Sequence, residues 1–360
     1  MKKNRVDNVH IRSEKPLVPP AKIKAALPLT PELEQRVLRA REAVRAVLDG
    51  KDARRLAIVG PCSIHNVKSG LEYAGRLARL ADAVRDTFVV IMRVYFEKPR
   101  TVVGWKGLIN DPRQDGSFRI EEGLHKARKF LLDVTALGLP AGTEALDPIV
   151  PQYIADAIAW STIGARTTES QVHRELASGL SSPVGFKNGT DGNIDTAINA
   201  IQSAAHPHNF LGITQDGRTA VFRTQGNRHA HIILRGGSRP NYDSASIAFC
   251  QEKLRQAGLP QNIVVDCSHG NSSKNHTRQP AVFDDCVRQI ENGNRSIVGL
   301  MLESNLVAGH WSPPSAVDPS QPPPFGLSVT DACIDWETTE ALLLDGASRL
   351  RPVIAARRSA

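Results

Sequence analysis

LAIVGPCSIH, Leu56 to His65, is an apolar run that stops at Gly60-Pro61 and sets a cysteine just past the stop. The same pattern returns seven times: FVVIMRVYF (88–96), LPAGTEAL (139–146), STIGAR (161–166), PVGFKN (183–188), HIILRGG (231–237), NIVVDCSH (262–269) and SIVGLMLE (296–303). Runs without polar alternation suit strands buried on both faces of a parallel sheet. Amphipathic stretches such as GLEYAGRLARLADAV, IEEGLHKARKFLLDV and DTAINAIQSAA lie between most of them. Eight strand–helix units predict an α/β fold, a closed (β/α)8 TIM barrel rather than an open doubly wound sheet. A barrel takes ~250 residues, so a chain of 360 leaves room for additions.

Three stretches fall outside the unit. Residues 1–28 read as an irregular arm. A helix follows, with Thr30 as cap, Pro31 at its first position, an apolar stripe of Leu33, Val37, Leu38, Val44 and Leu48, and Gly50 at its stop. FLGITQDGRTAVFRT places Asp216-Gly217 between two apolar runs, a hairpin signal. The third is HWSPPSAVDPSQPPPFG, whose Pro and Ser exclude regular structure. The predicted organisation is an arm and helix over 1–54, a barrel over 55–350 with an inserted hairpin at 209–224 and a Pro-rich loop at 310–326, and a tail over 351–360.

Composition narrows the function. Five widely spaced cysteines, none in a CxxC pair, argue against a disulfide framework. No run reaches the ~18 apolar residues of a membrane span, and MKKNRVDNVHIRSEKP lacks the apolar core of a secretory signal. The expected compartment is the cytoplasm, with no membrane partner. The formal charge of +8 comes with few aromatics and scattered cations, a poor match to a nucleic-acid surface; small anionic ligands explain it better.

Barrel active sites form at the C-terminal ends of the strands. Those ends carry, in order, Cys62, Arg93 with Lys98 and Arg100 beyond it, Glu144, Arg166, Lys187, Arg235, His269 and Glu303. Taken singly, each has a bland reading: a packed cysteine, a loop histidine, a solvated arginine. Their shared placement argues otherwise. Cys62, His269 and Glu303, with Asp331 in SVTDACIDW, combine thiolate, imidazole and carboxylate donors that suit Mn, Fe, Co or Zn. A nucleophilic Cys62 with His269 as base would leave Glu303, Asp331 and the cations without a role. The cations Arg93, Lys98, Arg100, Arg166, Lys187 and Arg235 would repel one another without an anion, by ~4 kcal/mol per pair at 4 Å and an effective dielectric near 20. Phosphates and carboxylates are the expected ligands.

The strings GPCSIH (60–65), MRVYFEKPRTVVGWKGLINDP (92–112), GARTTESQVHRELASGLSSPVGFKNGTDG (164–192), HIILRGG, SHGNSSK (268–274) and TDACIDWE (330–337) together resemble DAHP synthase, of the microbial type with an N-terminal arm and an inserted hairpin. The resemblance covers nearly the whole chain. It implies condensation of phosphoenolpyruvate with erythrose 4-phosphate and water, the first step of the shikimate route. It also implies a divalent metal (manganese favoured), a homodimer or homotetramer, and feedback by an aromatic amino acid. By motif, Cys62, His269, Glu303 and Asp331 would hold the metal. Arg93, Arg166, Lys187 and Arg235 would hold phosphoenolpyruvate, and Lys98, Arg100 and Thr101 erythrose 4-phosphate. Lys98 would serve as proton donor, and Glu144 would handle the water.

Three departures from the family pattern stand out: the string AGTEALD around Glu144, Ser304 where Gly is usual, and the length of loop 310–326. In the regulatory layer, Asn8, Pro148 and Gly212 resemble tyrosine-responsive isozymes more than phenylalanine-responsive ones, which tend to carry Ser at the Gly212 position. Ile149, Gln152, Leu176, Leu180, Ser181 and Phe210 are candidate pocket residues. Three rival readings remain: a related synthase that uses arabinose 5-phosphate, which the KPRT string argues against; a Schiff-base aldolase, which Lys187 among arginines does not suit; and an inactive paralogue that binds aromatic amino acids as a regulator, which predicts a lost ligand where none is lost.

Overall fold

The computed structural model describes residues 6–100, 104–311 and 322–358. Eight parallel strands close a barrel: β1 (Arg55–Gly60), β2 (Phe88–Arg93), β3 (Ala141–Glu144), β4 (Trp160–Ile163), β5 (Val184–Lys187), then β8 (Ala230–Leu234), β9 (Ile263–Asp266) and β10 (Ile297–Glu303). β10 pairs with β1 from Leu56↔Gly299 to Gly60↔Glu303 and closes the ring. Alternate residues feed two cores, as the two-residue period of a strand requires. Leu56 and Ile58 point inward with Trp160, Ile233, Val264 and Met301, while Ala57 and Val59 face the helices. Burying each large aliphatic side chain stabilises the fold by about 1.5–3 kcal/mol.

The helices between the staves are α3 (Val67–Ala83), α4 (Ile120–Ala136), α5 (Pro151–Ile154), α6 (Gln171–Gly179), α7 (Asp195–Ala204), α8 (Ser244–Gln256) and α9 (Gln279–Glu291). The first two helices, α1 (Pro20–Ala26) and α2 (Pro31–Leu48), precede the barrel. Thr30 caps α2 by accepting a hydrogen bond from Leu33 N, and Gly50 at φ +70° ends that segment. Val44, Val47 and Leu48 of α2 join the inward cluster and stopper the N-terminal end of the barrel. Only the C-terminal end is left as a mouth.

Two boundaries differ from the sequence reading. Part of the expected irregular arm is helical: α1 starts with Pro20 at its first turn, where its fixed φ helps, and buries Ile23 completely. The last helix, α10 (Trp336–Arg358), runs through position 351, where a separate tail was expected, with Pro352 inside it.

β6 (Asn209–Ile213) and β7 (Thr219–Arg223) form an antiparallel hairpin outside the barrel sheet, and β5 pairs directly with β8 past the insertion. Gly217 takes φ +77° in the turn. The tip meets the start of the chain, since Gln215 O accepts from Ala21 N at 2.9 Å. Most of the Pro-rich loop lies outside the described residues.

Candidate active site

The backbone sets the spacing of the site. Gly60, at φ +153°, lets the end of β1 approach β2: a Cβ there would lie 2.9 Å from Arg93 O. Cys62 follows, fully buried. His269 sits at φ +56° in the turn after β9, a conformation a non-glycine residue adopts only when its surroundings fix it.

The donor atoms of Cys62, Glu303 and Asp331 lie within 4.8 Å of one another. Cys62 Sγ is 3.6 Å from Asp331 Oδ2, and His269 Nε2 is 3.8 Å from Glu303 Oε1. Three of the four expected ligands therefore meet, and His269 reaches the group through Glu303. His269 Nδ1 is 2.9 Å from Asp266 Oδ2, which leaves Nε2 turned toward Glu303. This carboxylate-behind-imidazole arrangement orients a ligating histidine. Glu303 is held at its backbone, where its N–H donates to Gln279 Oε1 and its carbonyl accepts from Gln279 Nε2, both at 2.9 Å. Burial, with Glu303 beside it, pushes the Cys62 thiol up to about 12, against the opposing pull of Lys98. A divalent ion reverses that balance, because a coordinated thiol gives up its proton. One soft donor with imidazole and carboxylates fits a borderline transition metal.

The cations surround this cluster. Arg93, Lys98, Arg100, Arg166, Lys187 and Arg235 line a single cavity with Glu144, His269, Glu303 and Asp331. The sequence reading expected an anionic ligand to offset their mutual repulsion; within the chain, half of them already have partners. Arg93, buried, donates to Glu303 Oε1 at 2.9 Å, and Lys187 donates to the buried Asp266 at 2.7 Å. Lys98 Nζ reaches both the sulfur and the carbonyl oxygen of Cys62 at 3.1 Å. Burial alone would raise the Asp266 carboxyl, but His269, Lys187 and Arg93 hold it well below its ordinary range. Arg100 and Arg166 stay exposed, and Arg235 is anchored by its N–H on Asn188 Oδ1. Thr101 lies outside the described residues.

Glu144 is buried at the end of β3, and its Oε1 has no hydrogen-bond partner among the described residues. Gly164 makes room for it: a Cβ there would fall 2.2 Å from that oxygen. Ser304 is fully buried, receives the Tyr73 hydroxyl at 2.9 Å and meets Thr339 at 2.5 Å, so it ties the metal-side strand end to α3 and α10. The sequence reading missed Asp266. A carboxylate closing the apolar run IVVD was its signal, since an acid at a buried strand end needs partners.

A second, larger cavity of about 650 Å³ opens between α2, α5, α6 and the hairpin. Gln152, Leu176, Leu180, Ser181 and Phe210 line it, together with Lys24, Arg41 and Phe222. Asn8, Pro148, Ile149 and Gly212 do not. Asn8 lies in the exposed stretch 6–17, and Pro148 and Ile149 sit on the loop before α5. Gly212 lies behind the wall: a Cβ there would lie 3.0 Å from the Phe222 ring, which stacks on Phe210 at 5.7 Å.

Among the described residues no helix is long and apolar enough to cross a membrane. Residues 28–344 match the DAHP synthetase I family. The chain is 54% identical over 357 residues to the Tyr-sensitive phospho-2-dehydro-3-deoxyheptonate aldolase of Escherichia coli, covering 99% of both chains. It is 51% identical over 352 residues to that organism's Phe-sensitive counterpart, covering 98% of both. A phospho-2-dehydro-3-deoxyheptonate aldolase structure from Francisella tularensis aligns with a TM-score of 0.90 at 44% identity, covering 97% of this chain and 99% of that one. A closed eight-stranded barrel with this donor set and near-complete alignment to such relatives makes the chain a member of the DAHP synthetase I family.

Proposed function

We propose that the protein condenses phosphoenolpyruvate with erythrose 4-phosphate and water, giving 3-deoxy-D-arabino-heptulosonate 7-phosphate and phosphate. The observation that carries this reading is the convergence of a thiol, an imidazole and two carboxylates beside six cations in one mouth. Cys62, His269, Glu303 and Asp331 hold a divalent metal, manganese favoured, which polarises the aldehyde as a Lewis acid when bound. Arg93, Arg166, Lys187 and Arg235 grip phosphoenolpyruvate by its phosphate and carboxylate; Lys98, Arg100 and Thr101 take the second phosphate. C3 of phosphoenolpyruvate bonds to the aldehyde carbon, and Lys98 protonates the oxygen. Water adds at C2 and loses a proton to Glu144. The C2–O bond then breaks, and phosphate leaves.

The protein works in the cytoplasm as a homodimer or homotetramer. The cavity by the hairpin takes an aromatic amino acid, tyrosine favoured over phenylalanine. Its support is the likeness to Tyr- and Phe-sensitive relatives and a wall that mixes apolar rings with Arg41 and Gln152. The test is phosphate release from both substrates, with and without EDTA, repeated with each amino acid. Loss with EDTA and recovery with manganese are expected. Activity indifferent to EDTA would overturn the metal assignment, and no turnover under any divalent ion would favour the inactive-paralogue reading.

A further inference from the structure

Tyr95 lies two residues beyond the end of β2 and lines the same cavity as Glu144. It is only 2% exposed, yet its hydroxyl has no hydrogen-bond partner among the described residues. Its ring is occupied, carrying the Arg93 guanidinium at 4.1 Å and the Lys98 ammonium at 5.9 Å from the centroid. Burial pushes the phenol up, so it stays protonated and able to donate. Glu144 Oε1 and Arg235 Nε are the other unpartnered buried atoms on residues lining this cavity, and of the two only the Glu144 oxygen accepts. Leaving the phenol or the carboxylate unsatisfied in the fold is costly.

The two atoms differ in kind from the cations around them. Arginine and lysine suit phosphate and carboxylate oxygens, which only accept. A carboxylate among the residues lining the same space repels such anions and calls for a donor. A small group that both donates and accepts satisfies the phenol and the carboxylate together, and among the substrates of the proposed reaction water is that group. We infer that Tyr95 Oη and Glu144 Oε1 jointly hold the water that adds to C2 of phosphoenolpyruvate, with Tyr95 fixing its direction and Glu144 taking its proton. The inference rests on the proposed condensation. It keeps the atoms of that step: one O–H bond of water breaks, its oxygen bonds to C2 and the proton goes to the carboxylate; the phosphate oxygen then departs with the C2–O pair and takes up the remaining hydroxyl proton, leaving the C2 ketone.

The experiment compares Tyr95→Phe, Glu144→Gln and the double variant, with manganese content measured on each. Tyr95→Phe is expected to lower kcat by about 10- to 100-fold, with both KM values and the metal content held within about threefold. The double variant should lose no more than the worse single variant, because two groups serving one water are not additive. A Tyr95→Phe enzyme with unchanged kcat, or with only the KM for phosphoenolpyruvate raised, overturns the inference; so do multiplicative losses. A crystal structure of the unmutated protein with manganese and phosphoenolpyruvate tests it without any variant. Water within about 3.2 Å of both oxygens supports it, and no shared water, or Tyr95 Oη on a substrate oxygen, overturns it. Failure of the underlying reading shows differently, as an unmutated protein that consumes neither substrate.

Discussion

The barrel mouth and the cavity beside the hairpin solve opposite problems. The mouth is small, about 110 Å³ against about 650 Å³, and its key cations are already bound to the chain. Arg93 rests on Glu303, Lys187 on Asp266 and Lys98 on Cys62. Such pairs set the side chains before a ligand arrives, so that little is lost to ordering when phosphate and carboxylate groups enter. In the larger cavity Arg41 is spent on backbone carbonyls of Ile158 and Ala155, and the remaining wall mixes apolar side chains and the Phe210 and Phe222 rings with Lys24, Glu34, Gln152, Asp156 and Arg223. Chemistry demands the first arrangement. Recognition of an amphipathic ligand that will not react tolerates the second.

The contrast is most exposed at Cys62. Cys62→Ala removes the soft donor and leaves Lys98 without its sulfur contact. Activity should fall by roughly a thousandfold or more, with manganese retention measured by atomic absorption falling alongside. An enzyme that keeps its metal and its rate would mean that the mouth is organised around something other than the donor set.

Between the two cavities lies Glu97, 4% exposed, sharing a small void with Glu144 on one side and Pro151, Ala155 and Leu180 on the other. Burial, then Asp147 and Glu144, raise its carboxyl from 4.5 to about 8. The folded chain therefore holds a proton that the unfolded chain has released, and stability falls as pH rises from 4.5 to 8. Glu97→Gln should flatten that slope and gain roughly 2–4 kcal/mol relative to the unmutated protein at the upper end of the window. Urea denaturation at the two ends measures it. A parallel offset at both ends would show that Glu97 is ionised in the fold.

The smallest effect is expected at the hairpin. A Gly212→Ser side chain presses on the Phe222 ring at 3.0 Å and narrows the wall that Phe210 and Phe222 share. The half-inhibitory concentrations of tyrosine and phenylalanine should change relative to each other by about tenfold toward phenylalanine. Equal changes for both would make Gly212 a hairpin residue alone.

Most of the barrel could be read from the chain because hydrophobic period is local: each stave and helix shows its buried face within a few residues. Thr30, Pro31 and Asp216-Gly217 acted through neighbours and were legible too. α1 was not, because Pro19-Pro20 reads as irregular until Ile23 is seen to have a core to enter. Tyr95 looked like one more apolar residue of a strand end. Asn8 and Pro148 are not among the residues that line the cavity in this chain.

The sequence alone determined which reactive groups the protein owns and that a repeating strand would carry them to one rim. Only the tertiary structure decided how they pair. Lys187 finds Asp266 across 79 positions, Arg93 finds Glu303 across 210, and Cys62 meets Asp331 across 269. Backbone periodicity is fixed by near neighbours, whereas an ion pair depends on which side chains a closed barrel brings within a few ångströms and away from water.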